Sequence, residues 1–341
     1  MSDMTFNLFN DVNYELSHSA VWAWVLRCAD DSAADVHPGP HKLARRFFER
    51  VGVRRTSGQI VVRREVVLPG LRDRLDIEVA DAKGQFLAVE TKVSAIPSAE
   101  QALRYLSALG PGAQLVILSS AFDLDVRADL PKRCRYIGLA EMQELLKPNA
   151  DSHPVLSDYS AWLAHRRSER ARLARQALSA EEGVRAEALA TPEGQWSLMS
   201  AIGQAVGSSG SQYRAKNLGG TPWTQLCFCD GDEKAHDAIF YRIDRSARGD
   251  YFSVRQYESE PFPSVSAKLA RLEKLRAWWA DACARSKSLV PRQARSRGKK
   301  ESEIGWFLLS ENVPTVLLGE LPRVHKAFIA RLRDAGWPVV S

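Results

Sequence analysis

The chain has 341 residues, 45% hydrophobic and 26% charged, enough for two domains with a core each and unlike a disordered composition. A net charge of +6 fits a polyanionic partner without demanding one. Five scattered cysteines without a Cys-x-x-Cys pair point to neither a disulfide framework nor a zinc ribbon. With no signal-peptide pattern over 1–11 and no bilayer-length apolar run, the expected setting is cytoplasmic, away from membranes.

In chain order, Asp11 and Asn13 are caps for a helix starting near Tyr14, apolar on nearly every side over 20–26. Glu15, His18, Ser19 and Trp22 form its one polar-containing stripe. A second helix over 40–51 turns Leu43, Phe47 and Phe48 inward. Three strands follow at 60–68, 74–80 and 85–93, the last two close enough to form a hairpin. A helix over 98–109, a continuously apolar strand at 114–118, a strand at 135–139 and a helix at 141–146 complete the set. The expectation is an α/β (α+β) domain over 1–150, a mixed central sheet flanked by helices.

An amphipathic connecting helix is expected within 151–190, with a break at Gly183. After Thr191-Pro192 the pattern restarts as a second α+β domain over 191–341. It contains a helix at 193–206, strands at 223–229, 237–244 and 251–258, and a helix at 266–284. A basic stretch over 291–300 leads to strands at 305–309 and 314–318 and a last helix at 322–335. Cys227 and Cys229, two apart on one strand, are expected to share a face in packing.

The chemistry concentrates in the first domain. Residues two apart on a strand share a face, so Glu90 and Lys92 project together, and Asp76 comes from the hairpin partner. A carboxylate and an ammonium on a core strand are costly to desolvate unless they bind something. Two carboxylates beside one cation suit a hydrated Mg²⁺, with Mn²⁺ as a substitute, held against a phosphate. Asp76 and Glu90 are the candidate ligands, the Thr91 carbonyl a third, and Lys92 the group that polarises the attacking water. The competing interpretation is a structural ion pair at a sheet edge.

Asp76…Glu90-Thr91-Lys92, followed by Gln101-Ala-Leu-Arg-Tyr105, resembles the core signature of the PD-(D/E)XK nuclease superfamily. The segment from Glu15 through His18 and Ser19 to Leu26 resembles the Glu-x-x-His-Ser first helix of its bacterial branches. The resemblance covers roughly the first 145 residues, and Leu75 stands where the family name has proline. It implies a restriction-endonuclease-like fold and a Mg²⁺-dependent deoxyribonuclease, an endonuclease rather than an exonuclease, serving prokaryotic defence against phage or foreign DNA. It also implies Asp76 and Glu90 as metal ligands, Glu15 as a further metal-facing acid, and Gln101 and Tyr105 lining the site.

Asp73 is ranked below Asp76, and Glu78 is expected to be solvated or paired with an arginine. His18 is expected to be a hydrogen-bonded helix residue rather than a general base. Tyr105, Arg292, Arg295, Arg297, Lys299 and Lys300 are candidate nucleic-acid contacts, the basic ones through phosphates. The alternatives are a nuclease acting on RNA and a catalytically silent nucleic-acid-binding or scaffold protein. A homodimer is the expected assembly if both strands are cut. The second domain would serve recognition, sensing or oligomerisation.

Overall fold

The computed structural model describes residues 9, 14–53, 59–82, 84–93, 99–120, 131–208, 212–216, 222–229, 238–246, 249–257, 264–293, 301–311 and 314–339. They fall in two compact units, Met1–Glu169 and Arg170–Ser341. The architecture is mixed α+β in both.

The first unit opens with helices α1 (Tyr14–Arg27) and α2 (Pro38–Val51), followed by strands β1 (Val61–Val67), β2 (Arg74–Asp81) and β3 (Gly84–Lys92). Helix α3 (Ala99–Ala108), strands β4 (Gln114–Ser119) and β5 (Cys134–Ile137), and helix α4 (Leu139–Leu146) come next. The sheet order is β1-β2-β3-β4-β5; β1, β2 and β3 are antiparallel, and β4 and β5 join in parallel. The two residues between β2 and β3 close a hairpin, whereas the parallel step from β3 to β4 needs a crossover, which α3 supplies.

Alternation along the strands feeds two cores. Val89, Val116 and Leu118 join the large cluster with Trp22, Leu43, Phe47 and Met142. Ala88, Leu115 and Ile117 join the smaller cluster with Ala102, Tyr105 and Leu106 of α3. β4 is continuously apolar because both its faces are buried. α2 stops at Gly52, whose φ of 73° lets its N–H cap the Phe48 and Glu49 carbonyls.

The expected 151–190 connector is instead two helices, α5 (Pro154–Ala177) and α6 (Glu182–Leu189). The chain breaks before Glu182, and Gly183 lies inside α6. Leu156, Tyr159, Trp162 and Leu163 of α5 belong to the first unit's core, and that unit extends past residue 150 to Glu169. Ala177 belongs to the core of the second.

The second unit continues with α7 (Pro192–Val206), β6 (Gln212–Lys216), β7 (Pro222–Cys229), β8 (Ala238–Ser246), β9 (Gly249–Tyr257) and α8 (Val265–Cys283). It ends with β10 (Arg292–Gln293), β11 (Glu301–Leu308) and α9 (Pro314–Asp334). Its sheet is antiparallel throughout, in the order β10-β11-β9-β8-β7-β6. Gly305 is required where β11 meets α8: a Cβ there would lie 2.5 Å from Trp279 Cδ1, and Trp279 is fully buried.

Three expectations change here. β6 and β10 were not anticipated. The apolar run 314–318 is the start of α9 rather than a strand, because Leu317, Leu321, Val324 and Phe328 recur at helical spacing and are all buried. A register shift between Cys227 and Cys229 breaks the simple alternation, and Cys229 alone of the two joins the main core. No described helix is long and apolar enough to cross a membrane.

Candidate functional site

β3 carries Glu90 and Lys92 on the face that holds Ala88 and looks toward α3, as period-two alternation requires. Glu90 is 5% exposed, and its Oε1 accepts a hydrogen bond from Lys92 Nζ at 2.6 Å. Gln101 Nε2, one turn into α3, approaches the same oxygen at 3.4 Å and donates to the Tyr105 hydroxyl at 3.1 Å. That hydroxyl donates to the Arg74 carbonyl at 3.0 Å, fastening α3 to the start of β2, so the buried Tyr105 is a packing residue rather than the nucleic-acid contact expected. The i, i+4 spacing of Gln101 and Tyr105 is what lets one helix face do both tasks.

Asp76 is held from β3. Its Oδ2 accepts from the Thr91 N–H at 2.7 Å and from the Thr91 hydroxyl at 2.5 Å. Glu90 Oε2 is buried without a hydrogen-bond partner. Burial first, and the Asp76 carboxylate second, push the Glu90 carboxyl up to about 7; Lys92 and the Asp76 N–H pull it down without cancelling the rise. Burial also pushes the Tyr105 phenol well above its ordinary value, with Glu90 and Asp76 adding to it. Glu90, Lys92, Gln101 and Tyr105 are thus linked by hydrogen bonds, and Asp76 lies near enough for its charge to act on Glu90.

Thr91 takes part in a way alternation alone does not reveal: its N–H and hydroxyl both serve Asp76. Asp73 pairs with Arg104 at 2.8 Å on the outside, and Glu78 pairs with Arg63 at 3.3 Å, so neither joins the set. Glu15 lies in the first turn of α1, and its side chain falls outside the described residues.

The other members of its motif hold α1 in place. His18 is buried and its Nδ1 bonds the Tyr159 hydroxyl, which also accepts from Trp22 Nε1 at 3.1 Å. Burial lowers the His18 imidazole to about 3, opposed weakly by the Leu118 carbonyl, so it is neutral at ordinary pH. Ser19 Oγ accepts from Arg64 at 3.0 Å and donates to the Leu16 carbonyl at 3.1 Å, tying α1 to β1.

In the second unit, Arg292 is exposed, pairs with Glu311 at the surface and lies 5.3 Å from the Trp306 ring centroid. Arg295, Arg297, Lys299 and Lys300 lie outside the described residues.

Among the described residues, no group of three or more His, Cys, Asp or Glu side chains is arranged to hold a metal ion. Two carboxylates are nonetheless a sufficient protein contribution for Mg²⁺, which keeps several waters. An orphaned buried oxygen on Glu90, in a carboxyl whose charged form is disfavoured, is what a missing cation would leave. The donor set therefore fits a hard divalent ion. No protein-family model, curated protein or solved structure matches the chain.

Proposed function

We propose that this protein is a Mg²⁺-dependent nuclease that hydrolyses phosphodiester bonds, DNA being the favoured substrate, with a restriction-endonuclease-like first unit of the PD-(D/E)XK kind. The observation that carries this is Glu90: a carboxylate 5% exposed, with one oxygen on Lys92 and the other unpartnered, beside Asp76. A buried charge left incomplete costs on the order of several kcal/mol, which a scaffold has no reason to keep.

In this proposal Asp76 and Glu90 hold the ion, and the hydrogen bonds from Thr91 fix which way Asp76 presents its carboxylate. Bound there, Mg²⁺ would neutralise phosphate charge and make a water more acidic. Lys92 Nζ stays within reach of the same space and supplies positive charge to the attacking water or the phosphate oxygens. Gln101 steadies Glu90 from α3. Glu15, at the start of α1, is proposed as a further acid. Prokaryotic defence against phage or foreign DNA is the proposed setting, a homodimer the proposed assembly for two-strand cutting, and recognition, sensing or oligomerisation the proposed task of the second unit.

The test is cleavage of matched DNA and RNA strands with Mg²⁺ or Mn²⁺. DNA cutting by the wild type, lost in Lys92→Ala and Asp76→Ala, is expected; cutting only of RNA would move the assignment to a ribonuclease. One observation favours a silent nucleic-acid-binding protein instead: Lys92 is spent on Glu90 at 2.6 Å. Undiminished nucleic-acid binding with no cleavage by the wild type would establish that alternative.

A further inference from the structure

Among the described residues, one non-glycine residue has a positive φ: Glu65, at 53°, in the middle of β1. Glutamate has no local reason to adopt the left-handed region, where Cβ crowds the following carbonyl. The register shows what lies beside it. β1 and β2 pair at Arg64↔Ile77 and again at Val66↔Leu75, so Glu65 stands across from Asp76, and that one pair is missing from the ladder.

Two further irregularities fall at the same point. Pairing between β2 and β3 runs from Asp81↔Gly84 to Ile77↔Val89 and stops before Asp76 and Glu90. In addition, Leu75 packs in the α3-side cluster while Ile77, two residues on, packs in the opposite one. A regular strand would send both to one face, so the phase of β2 slips at Asp76. The main chain of Asp76 is thereby released from both neighbours. The Asp76 side chain takes up the Thr91 N–H that a backbone ladder would otherwise have used.

We propose that Glu65 is a positioning residue: its left-handed backbone opens the sheet beside Asp76, so that Asp76 serves the site instead of the ladder. This deepens the metal-site assignment and rests on it. The neighbouring Arg64 supports the arrangement, because its Nη2 bonds Leu16 O at 2.8 Å and Ser19 Oγ at 3.0 Å, which anchors β1 to α1 next to the flipped residue. Local departures of this kind re-aim side chains at sites. The carboxylate of Glu65 has no part in the proposal; its backbone does.

Two substitutions separate backbone from side chain. Glu65→Gly accepts the left-handed conformation freely, so it is expected to melt no lower than the wild type and to bind Mn²⁺ at least as tightly. Glu65→Val resists it, so the Asp76 amide is expected to exchange more slowly as the ladder closes, and Mn²⁺ affinity to fall about tenfold, as when an outer partner of a metal ligand is lost. If Glu65→Val does not fold, Glu65→Ala carries the same expectation at smaller size.

Equal Asp76 exchange and equal Mn²⁺ affinity in wild type and Glu65→Val would overturn the proposal, as would a folded Glu65→Gly that binds Mn²⁺ more weakly. A wild type that binds no Mn²⁺ defeats the metal assignment separately. The amide exchange of the variants then still decides whether Glu65 sets the conformation at Asp76.

Discussion

Both units bury charge on a sheet, and they treat it differently. In the second, Arg242 bonds Asp244 at 2.8 Å and Glu301 at 3.0 Å, while Arg255 reaches Glu301, Glu303 at 3.0 Å and the Tyr251 hydroxyl at 3.1 Å. Each of these carboxylates meets at least one guanidinium. In the first, Glu90 has a single cation, an orphaned oxygen and a carboxyl raised to about 7. Carboxylates that each meet a guanidinium are fixtures of the scaffold, whereas a buried carboxylate with an unpartnered oxygen has room for a cation. Buried charge alone does not mark a site; an incompletely partnered carboxylate does.

The largest expected effect lies in the chemistry. Lys92→Ala should lower the cleavage rate about a hundredfold or more, the scale seen when a group aimed at developing charge is removed, measured in single turnover with excess enzyme. Arg255→Ala, by contrast, should leave cleavage by the folded protein alone but cost about 1.5–3 kcal/mol in urea unfolding, because Glu301 and Glu303 lose a charged hydrogen-bond partner. If it costs under ~1 kcal/mol, the second unit's network is no fixture and the contrast fails.

Glu90 supplies a pH dependence of known sign. Its carboxyl rises on folding from 4.5 to about 7, so the metal-free protein should be most favoured by this group below about pH 4.5. That contribution is lost as the pH rises to about 7, on the order of 3 kcal/mol in all. Glu90→Gln removes the titrating group, so its stability should show no such decline between those values. Urea midpoints in EDTA at pH 5 and pH 8 give the comparison.

The smallest effects come from two buried tyrosine–histidine pairs, one in each unit. Tyr159→Phe strands both His18 and the Trp22 N–H, whereas Tyr241→Phe strands only its bond to His325. Each should destabilise by about 1–3 kcal/mol, with Tyr159→Phe the more costly, read from denaturant midpoints.

Local pattern carried the site into view. Glu90 and Lys92 are two residues apart in an apolar strand, so alternation groups them, and a short turn brings the strand that carries Asp76 alongside. Gln101 and Tyr105 were legible from helical spacing. The service of Thr91 to Asp76 was not, because it depends on β2 slipping phase where nothing in Arg-Leu-Asp-Ile-Glu departs from an ordinary strand. Glu65 was hidden for the same reason, since no glycine or asparagine marks its left-handed backbone. The network of Arg242, Arg255, Glu301 and Glu303 escaped because it spans three strands whose register only the folded sheet defines. The run over 314–318 was ambiguous at five residues and became helical only through the stripe that follows it.

The central claim is that Asp76 and Glu90 together complete themselves with a divalent cation. Calorimetric titration of Mn²⁺ into the wild type, Asp76→Asn and Glu90→Gln at pH 8 tests it most directly. The account predicts saturable binding by the wild type, weakened at least about tenfold in each variant. No binding by the wild type, or the same affinity in all three proteins, would contradict it.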